Sequence, residues 1–173
     1  MKVGRSVRLR SLRCDDIMIL FEWINDPELI RYTNTFRPVS EMEQRVWFQR
    51  LSESTDQIVL GIELVKERKL IGTCGLYSID YPNRKAEVRI KIGAKSNWGQ
   101  GYGKEAVELL IDFAFADLNL RRLSLKVLST NDRALRIYEN VGFEREGILK
   151  EAMYIQGRYH DLITMALLRK DVD

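Results

Sequence analysis

Asn97-Trp98-Gly99-Gln100-Gly101-Tyr102-Gly103-Lys104-Glu105-Ala106 places three glycines at alternate positions directly ahead of a helical pattern. Upstream, Ala86-Glu87-Val88-Arg89-Ile90-Lys91-Ile92 alternates apolar and charged residues, the period of a strand whose two faces meet different surroundings. Downstream, Val107, Leu110, Ile111, Ala114, Phe115 and Leu118 line one side of a helix. The unit reads strand, glycine loop, helix. Leading N–H groups of a helix have no partner inside it and sit at the positive end of its dipole, while glycine offers no Cβ to hold a ligand away. Such a turn suits a phosphate or pyrophosphate.

Spacing excludes two familiar phosphate binders. A P-loop ends in Gly-Lys-Ser/Thr, whereas Gly103-Lys104 is followed by Glu105, whose charge opposes phosphate. A dinucleotide fingerprint reads G-x-G-x-x-G in the first βα unit, whereas these glycines read G-x-G-x-G past the midpoint of the chain. A tight turn that binds nothing is the plain alternative for an isolated glycine loop.

Further segments accompany it. Leu123 through Ser129 reads as a strand, Asn131 as the cap of a short helix showing Ala134, Ile137, Tyr138 and Val141 and ending at Gly142, and Gln156-Gly157 as the turn of a final hairpin. The order Trp98 to Ala106, Leu120 to Phe143 and Glu144 to Asp161 resembles the GCN5-related N-acetyltransferase (GNAT) superfamily, most closely its RimJ/RimL and spermidine acetyltransferase branch. The resemblance spans nearly the whole chain. One position departs from the superfamily's usual Gln or Arg at the head of the loop; it is Trp98, as is common in this branch.

The resemblance implies a single α/β (α+β) domain over 1–173, with a mixed, mostly antiparallel sheet flanked by helices, and acetyl-CoA as co-substrate. It implies pyrophosphate on the amides around Trp98, Gly99, Gln100, Gly101, Tyr102, Gly103 and Lys104. Pantetheine would pair with the backbone of Ile90, Lys91 and Ile92, where this strand splays from its neighbour, and Asn131 and Tyr138 would also touch the donor. In the family, the stretch holding Tyr32, Phe36 and Arg37 borders the acceptor site. A homodimer or higher homo-oligomer accords with the same likeness.

Chemistry assigns two roles. Acetyl transfer from a thioester to an amine needs an unprotonated amine and a stabilised departing thiolate. A phenol with an ordinary pKa near 10 holds its proton above a thiol's ~8.5, and Tyr138 matches the family's proton donor. Its spacing from Ala134 also suits a core aromatic. Glu87 is the candidate base, since it leads to the loop and alternates away from Val88, Ile90 and Ile92; a glutamate on a charged sheet face is the competing reading. Asn131 serves equally as a plain N-cap. Cys74 lies in an apolar strand, which makes a thiol inert, and His160-Asp161 either orients a base or simply occupies a hairpin strand.

The remainder of the chain sets limits. Its 173 residues suffice for one core, and the net charge of +3 with interspersed acids and bases argues against nucleic acid. Two cysteines without a CxxC pair, and one histidine, argue against disulfides and a metal site. No run of 18 apolar residues and no leader-like N-terminus is present, so a cytoplasmic protein with no membrane contact is expected.

Among the earlier elements, Val7 to Leu12 reads as a strand, and Asp15 or Asp16 as the cap of a helix burying Ile17, Leu20, Phe21 and Ile24. Ser40 with Glu43 forms a capping box ahead of Val46, Trp47 and Leu51, and the strands around Lys66 to Lys69 form a hairpin. The acceptor stays open between a small amine, such as an amino sugar or polyamine, and a protein N-terminal amine. A catalytically silent acyl-CoA sensor is the alternative function, and it would be expected to lack Tyr138.

Overall fold

The computed structural model describes residues 2–31 and 37–170, which leaves Tyr32 and Phe36 outside the described residues. The chain runs β1 (Val7–Ser11), α1 (Ile17–Asn25), α2 (Pro27–Ile30), α3 (Glu41–Glu53), β2 (Ile58–Leu64), β3 (Leu70–Asp80) and β4 (Lys85–Ile92). It continues through α4 (Tyr102–Asp112), β5 (Arg122–Leu128), α5 (Asp132–Asn140), β6 (Glu144–Ile155) and β7 (Arg158–Leu168). The seven strands form one sheet in the order β1-β2-β3-β4-β5-β7-β6. All neighbours are antiparallel except β4 and β5, which α4 joins as a crossover.

Helices cover both faces because strand residues alternate between them. On one face Leu9, Ile62, Leu76, Val88 and Leu123 meet Ala106, Val107, Leu110 and Ala114 of the α4 segment, with Leu135 and Tyr138 from α5 in the same core. Leu70 carries the other face into a smaller cluster with Leu20, Trp23 and Leu29 from α1 and α2. No helix among the described residues is long and apolar enough to cross a membrane.

Two helix readings change. The buried stripe of α1 is Ile17, Leu20 and Trp23, with Phe21 and Ile24 half-buried, and Asp16 makes no side-chain cap. Its carboxylate instead takes both terminal nitrogens of Arg10, at 2.8 and 2.9 Å, and the Arg13 N–H at 2.7 Å. Arg10 also pairs with Glu63, which is 1% exposed and joined by Arg8 at 2.8 Å. Burial disfavours ionising Asp16 and Glu63, yet the guanidiniums outweigh it and hold both below the usual carboxylate range. This network ties the start of α1 to β1 and β2. On α3, Val46 is exposed and Gln44 is the buried residue.

The capping box on α3 forms as expected: Ser40 Oγ accepts from Glu43 N at 3.2 Å and Glu43 accepts from Ser40 N at 2.8 Å. Ser40→Ala is expected to cost about 1 kcal/mol, a fall of about 2–4 °C in Tm. An unchanged calorimetric midpoint would mean the box adds nothing to the folded state.

Candidate active site

The parallel seam between β4 and β5 is only three rungs long: Lys85↔Arg122, Ala86↔Leu123 and Glu87↔Ser124. β4 nevertheless runs on to Ile92 along β3, and β5 runs on to Leu128 along β7. Beyond the last rung the two strands part, so β4 groups facing the gap have no strand partner there. One is engaged differently from expectation, since the Ile92 carbonyl accepts from the Trp98 indole at 2.8 Å. The Lys91 side chain is engaged too, its amine donating to the Trp23 carbonyl in α1 at 3.0 Å. Burial lowers its pKa to about 8.

The glycine loop closes the mouth of this gap. Gly99 and Gly101 have φ of +77° and +82°, a region L side chains rarely occupy, and Gly101 is the residue that opens α4. Among the described residues no protein acceptor meets the N–H groups from Gly99 to Lys104. Gly103 is placed differently: a Cβ there would stand in ordinary contact distance, 3.6 Å from Ile137 and 3.8 Å from Ile92, so the position faces both α5 and β4. Several side chains of the loop turn away. Gln100 bonds the Ser96 carbonyl at 2.8 Å, Lys104 pairs with Glu108 at 3.3 Å, and Tyr102 packs on the core. Glu105, whose charge argued against a P-loop, points to the N-terminal segment and accepts from Ser6 N at 2.8 Å. A hollow of about 380 Å³ lies beside Gly101 and Lys104 against Gly4 and Arg5, and its walls include no residue of β4, β5 or α5.

Tyr138 is 7% exposed, edge-on to Phe143 with ring centres 5.7 Å apart, and its burial pushes the phenol pKa up to about 12. Among the described residues no protein group bonds its hydroxyl and no fully buried side-chain polar atom lacks a partner, so the oxygen itself emerges from the core. Core packing and proton donation are thus compatible in one residue: the ring packs and the hydroxyl is free. Asn131 caps α5 through Ala134 N at 3.2 Å, which leaves its amide nitrogen without a protein acceptor among the described residues.

Glu87 stands on the last rung of the seam and pairs with Arg89 at 2.8 Å, whose guanidinium lies 4.5 Å from the centre of the Tyr77 ring. Glu87, Arg89 and Lys91 share the sheet face that α1 covers. Arg37 is not a bare cation: it bonds Glu43 at 2.6 Å, and this holds the Glu43 carboxyl down to about 2. His160 and Asp161 form no dyad. Asp161 instead takes Lys150 at 2.9 Å and Glu151 N at 2.9 Å, closing a bulge in β6. Burial pushes the Cys74 thiol up, away from nucleophilic use.

A sheet parted beside a helix whose first amides meet no protein acceptor among the described residues offers an extended, phosphate-bearing ligand a strand edge and a helix N-terminus together. Residues 6–144 match the family described as acetyltransferase (GNAT) domain. The chain belongs to that family. It is 32% identical over 166 residues to the uncharacterized N-acetyltransferase p20 of Bacillus licheniformis, covering 94% of this chain and 93% of that one. Identity to the spermidine N(1)-acetyltransferase of Vibrio cholerae is 28% over 169 residues, covering 96% and 95%. The crystal structure of the Vibrio cholerae spermidine N-acetyltransferase with CoA and spermine superimposes with a TM-score of 0.87 at 29% identity, covering 94% of this chain and 95% of that one. The protein is thus an N-acetyltransferase with acetyl-CoA as co-substrate.

Proposed function

We propose that the amine acceptor approaches on the α1 face of the parted seam and attacks the thioester directly, in a ternary complex. The C–N bond forms as the C–S bond breaks; the departing thiolate takes the Tyr138 proton, and Glu87 receives the proton shed by the amine. The observation that carries this reading is the seam that stops at Glu87↔Ser124, with free loop amides at one end of the gap. The cytoplasm is the proposed location.

The acceptor is a primary amine on a body of little further positive charge, such as an amino sugar or a peptide N-terminus. The four carboxylates that could serve a polycation each already have a cation: Glu28 with Lys95 at 3.0 Å, Glu41 with Arg45 at 2.7 Å, Glu43 with Arg37 at 2.6 Å and Glu87 with Arg89 at 2.8 Å. Residues 32–36 add no acid. Spermidine is the second reading, favoured by the named activity of the Vibrio cholerae relative, and it requires one of these pairs to open. A dodecameric form of that relative supports a homo-oligomer here. The test is an acceptor panel of amino sugars, N-terminal peptides and polyamines, read as free thiol released from acetyl-CoA. Turnover with polyamines alone would reverse the order of the two readings, and no thiol release with any acceptor would favour the silent sensor.

A further inference from the structure

Trp98 stands where three parts of the site meet. Its indole N–H donates to the Ile92 carbonyl at 2.8 Å, at the far end of β4. The Arg133 guanidinium, in the first turn of α5, lies 4.4 Å from the centre of its ring. The ring also packs against the cluster of Leu20, Trp23, Leu29 and Leu70 that holds α1 to the sheet. β4 and β5 have separated by this level, and α5 follows β5 after a short link. One side chain therefore bridges the gap, gripping the β4 bank with a hydrogen bond and the α5 bank through a cation over its ring. A side chain at Gly103 would face Ile92 and Ile137, one from each bank.

We propose that Trp98 is a positioning residue, a strut that sets the width of the opening between β4 and α5 through which the pantetheine arm passes, and not a ligand of the phosphates. The proposal rests on the placement of the donor in that gap. It differs from the expectation that the loop residue touches the donor directly, because the indole N–H is already spent on Ile92 and one ring face on Arg133.

The two roles separate by cutting the donor in half. CoA carries the pantetheine arm, whereas phosphoadenosine diphosphate keeps the nucleotide and pyrophosphate without it. Trp98→Phe keeps a ring for Arg133 and removes the Ile92 bond. Calorimetric titration should give this variant about tenfold weaker CoA binding with the affinity for phosphoadenosine diphosphate unchanged. Equal weakening of both ligands would make Trp98 part of the phosphate site, and unaltered CoA affinity would remove its role; either overturns the strut. Trp98→Leu repeats the titrations should the phenylalanine variant fail to fold. A parent protein that binds phosphoadenosine diphosphate no more weakly than CoA would place the arm outside the gap, and so would defeat the placement beneath the proposal.

Discussion

Tyr138→Phe is expected to lower kcat by about 10²- to 10⁴-fold, the range of general acid catalysis, with acetyl-CoA affinity nearly intact. The substitution keeps the ring that lies edge-on to Phe143 and removes only the hydroxyl, which no described protein group holds. Because this oxygen supports no bond among the described residues, a loss of turnover reports its chemistry and not a rearranged core. Burial adds a pH signature. An unfolded tyrosine ionises near its ordinary 10.0, while the folded one keeps its proton to about 12. The folded state thus holds more proton between those values, and its stability falls as pH rises through them. The phenylalanine variant should show a smaller alkaline loss of stability, and its parent no loss of the acid below pH 10. Full turnover in Tyr138→Phe, with chemistry shown to be rate-limiting, would assign the proton to water.

Gly101→Val should weaken acetyl-CoA binding by about a hundredfold. Left-handed backbone costs an L residue roughly 1–2 kcal/mol, and φ at this position is +82° with open space where the Cβ would stand. The branched side chain would enter that space, beside the amides proposed to take the pyrophosphate. Losing even one hydrogen bond to a charged group adds about 1.5–3 kcal/mol. Calorimetric titration with CoA on a variant that still unfolds cooperatively, at a Tm lowered by the backbone strain, decides the matter, and an unchanged Kd would place the pyrophosphate elsewhere. The equivalent change at Gly103 tests packing instead, since its side chain would be driven toward Ile137 and Ile92.

What the sequence discloses well is local. Ser40 and Glu43 satisfy each other across one helical turn, Asn131 caps the helix it precedes, and Gln156-Gly157 turns a hairpin between adjacent strands. Each requires only neighbours along the chain. Asp16 defeats a reading of this kind because its partner, Arg10, sits on another element, and a better bond draws the carboxylate from the cap. Arg37 looks like a groove cation in the sequence for the same reason, its pairing with Glu43 being made by the fold. Likeness to the family places Trp98 at the donor, while its bond to Ile92 depends on how the loop turns back over β4. The free hydroxyl of Tyr138 combines both levels: helical spacing sets the ring inward, and only the assembled core determines that the oxygen escapes it.

The short seam of Lys85, Ala86 and Glu87 against Arg122, Leu123 and Ser124 makes the sheet two panels, one of four strands and one of three, fastened at one end. A donor arm lying in the opening would act as a piece of the missing weave, supplying inter-panel hydrogen bonds that the chain does not make for itself. Whatever binds the native form alone raises its stability with concentration, so the acyl donor would be both reagent and building material. The durability of the protein would then follow the supply of the compound it consumes.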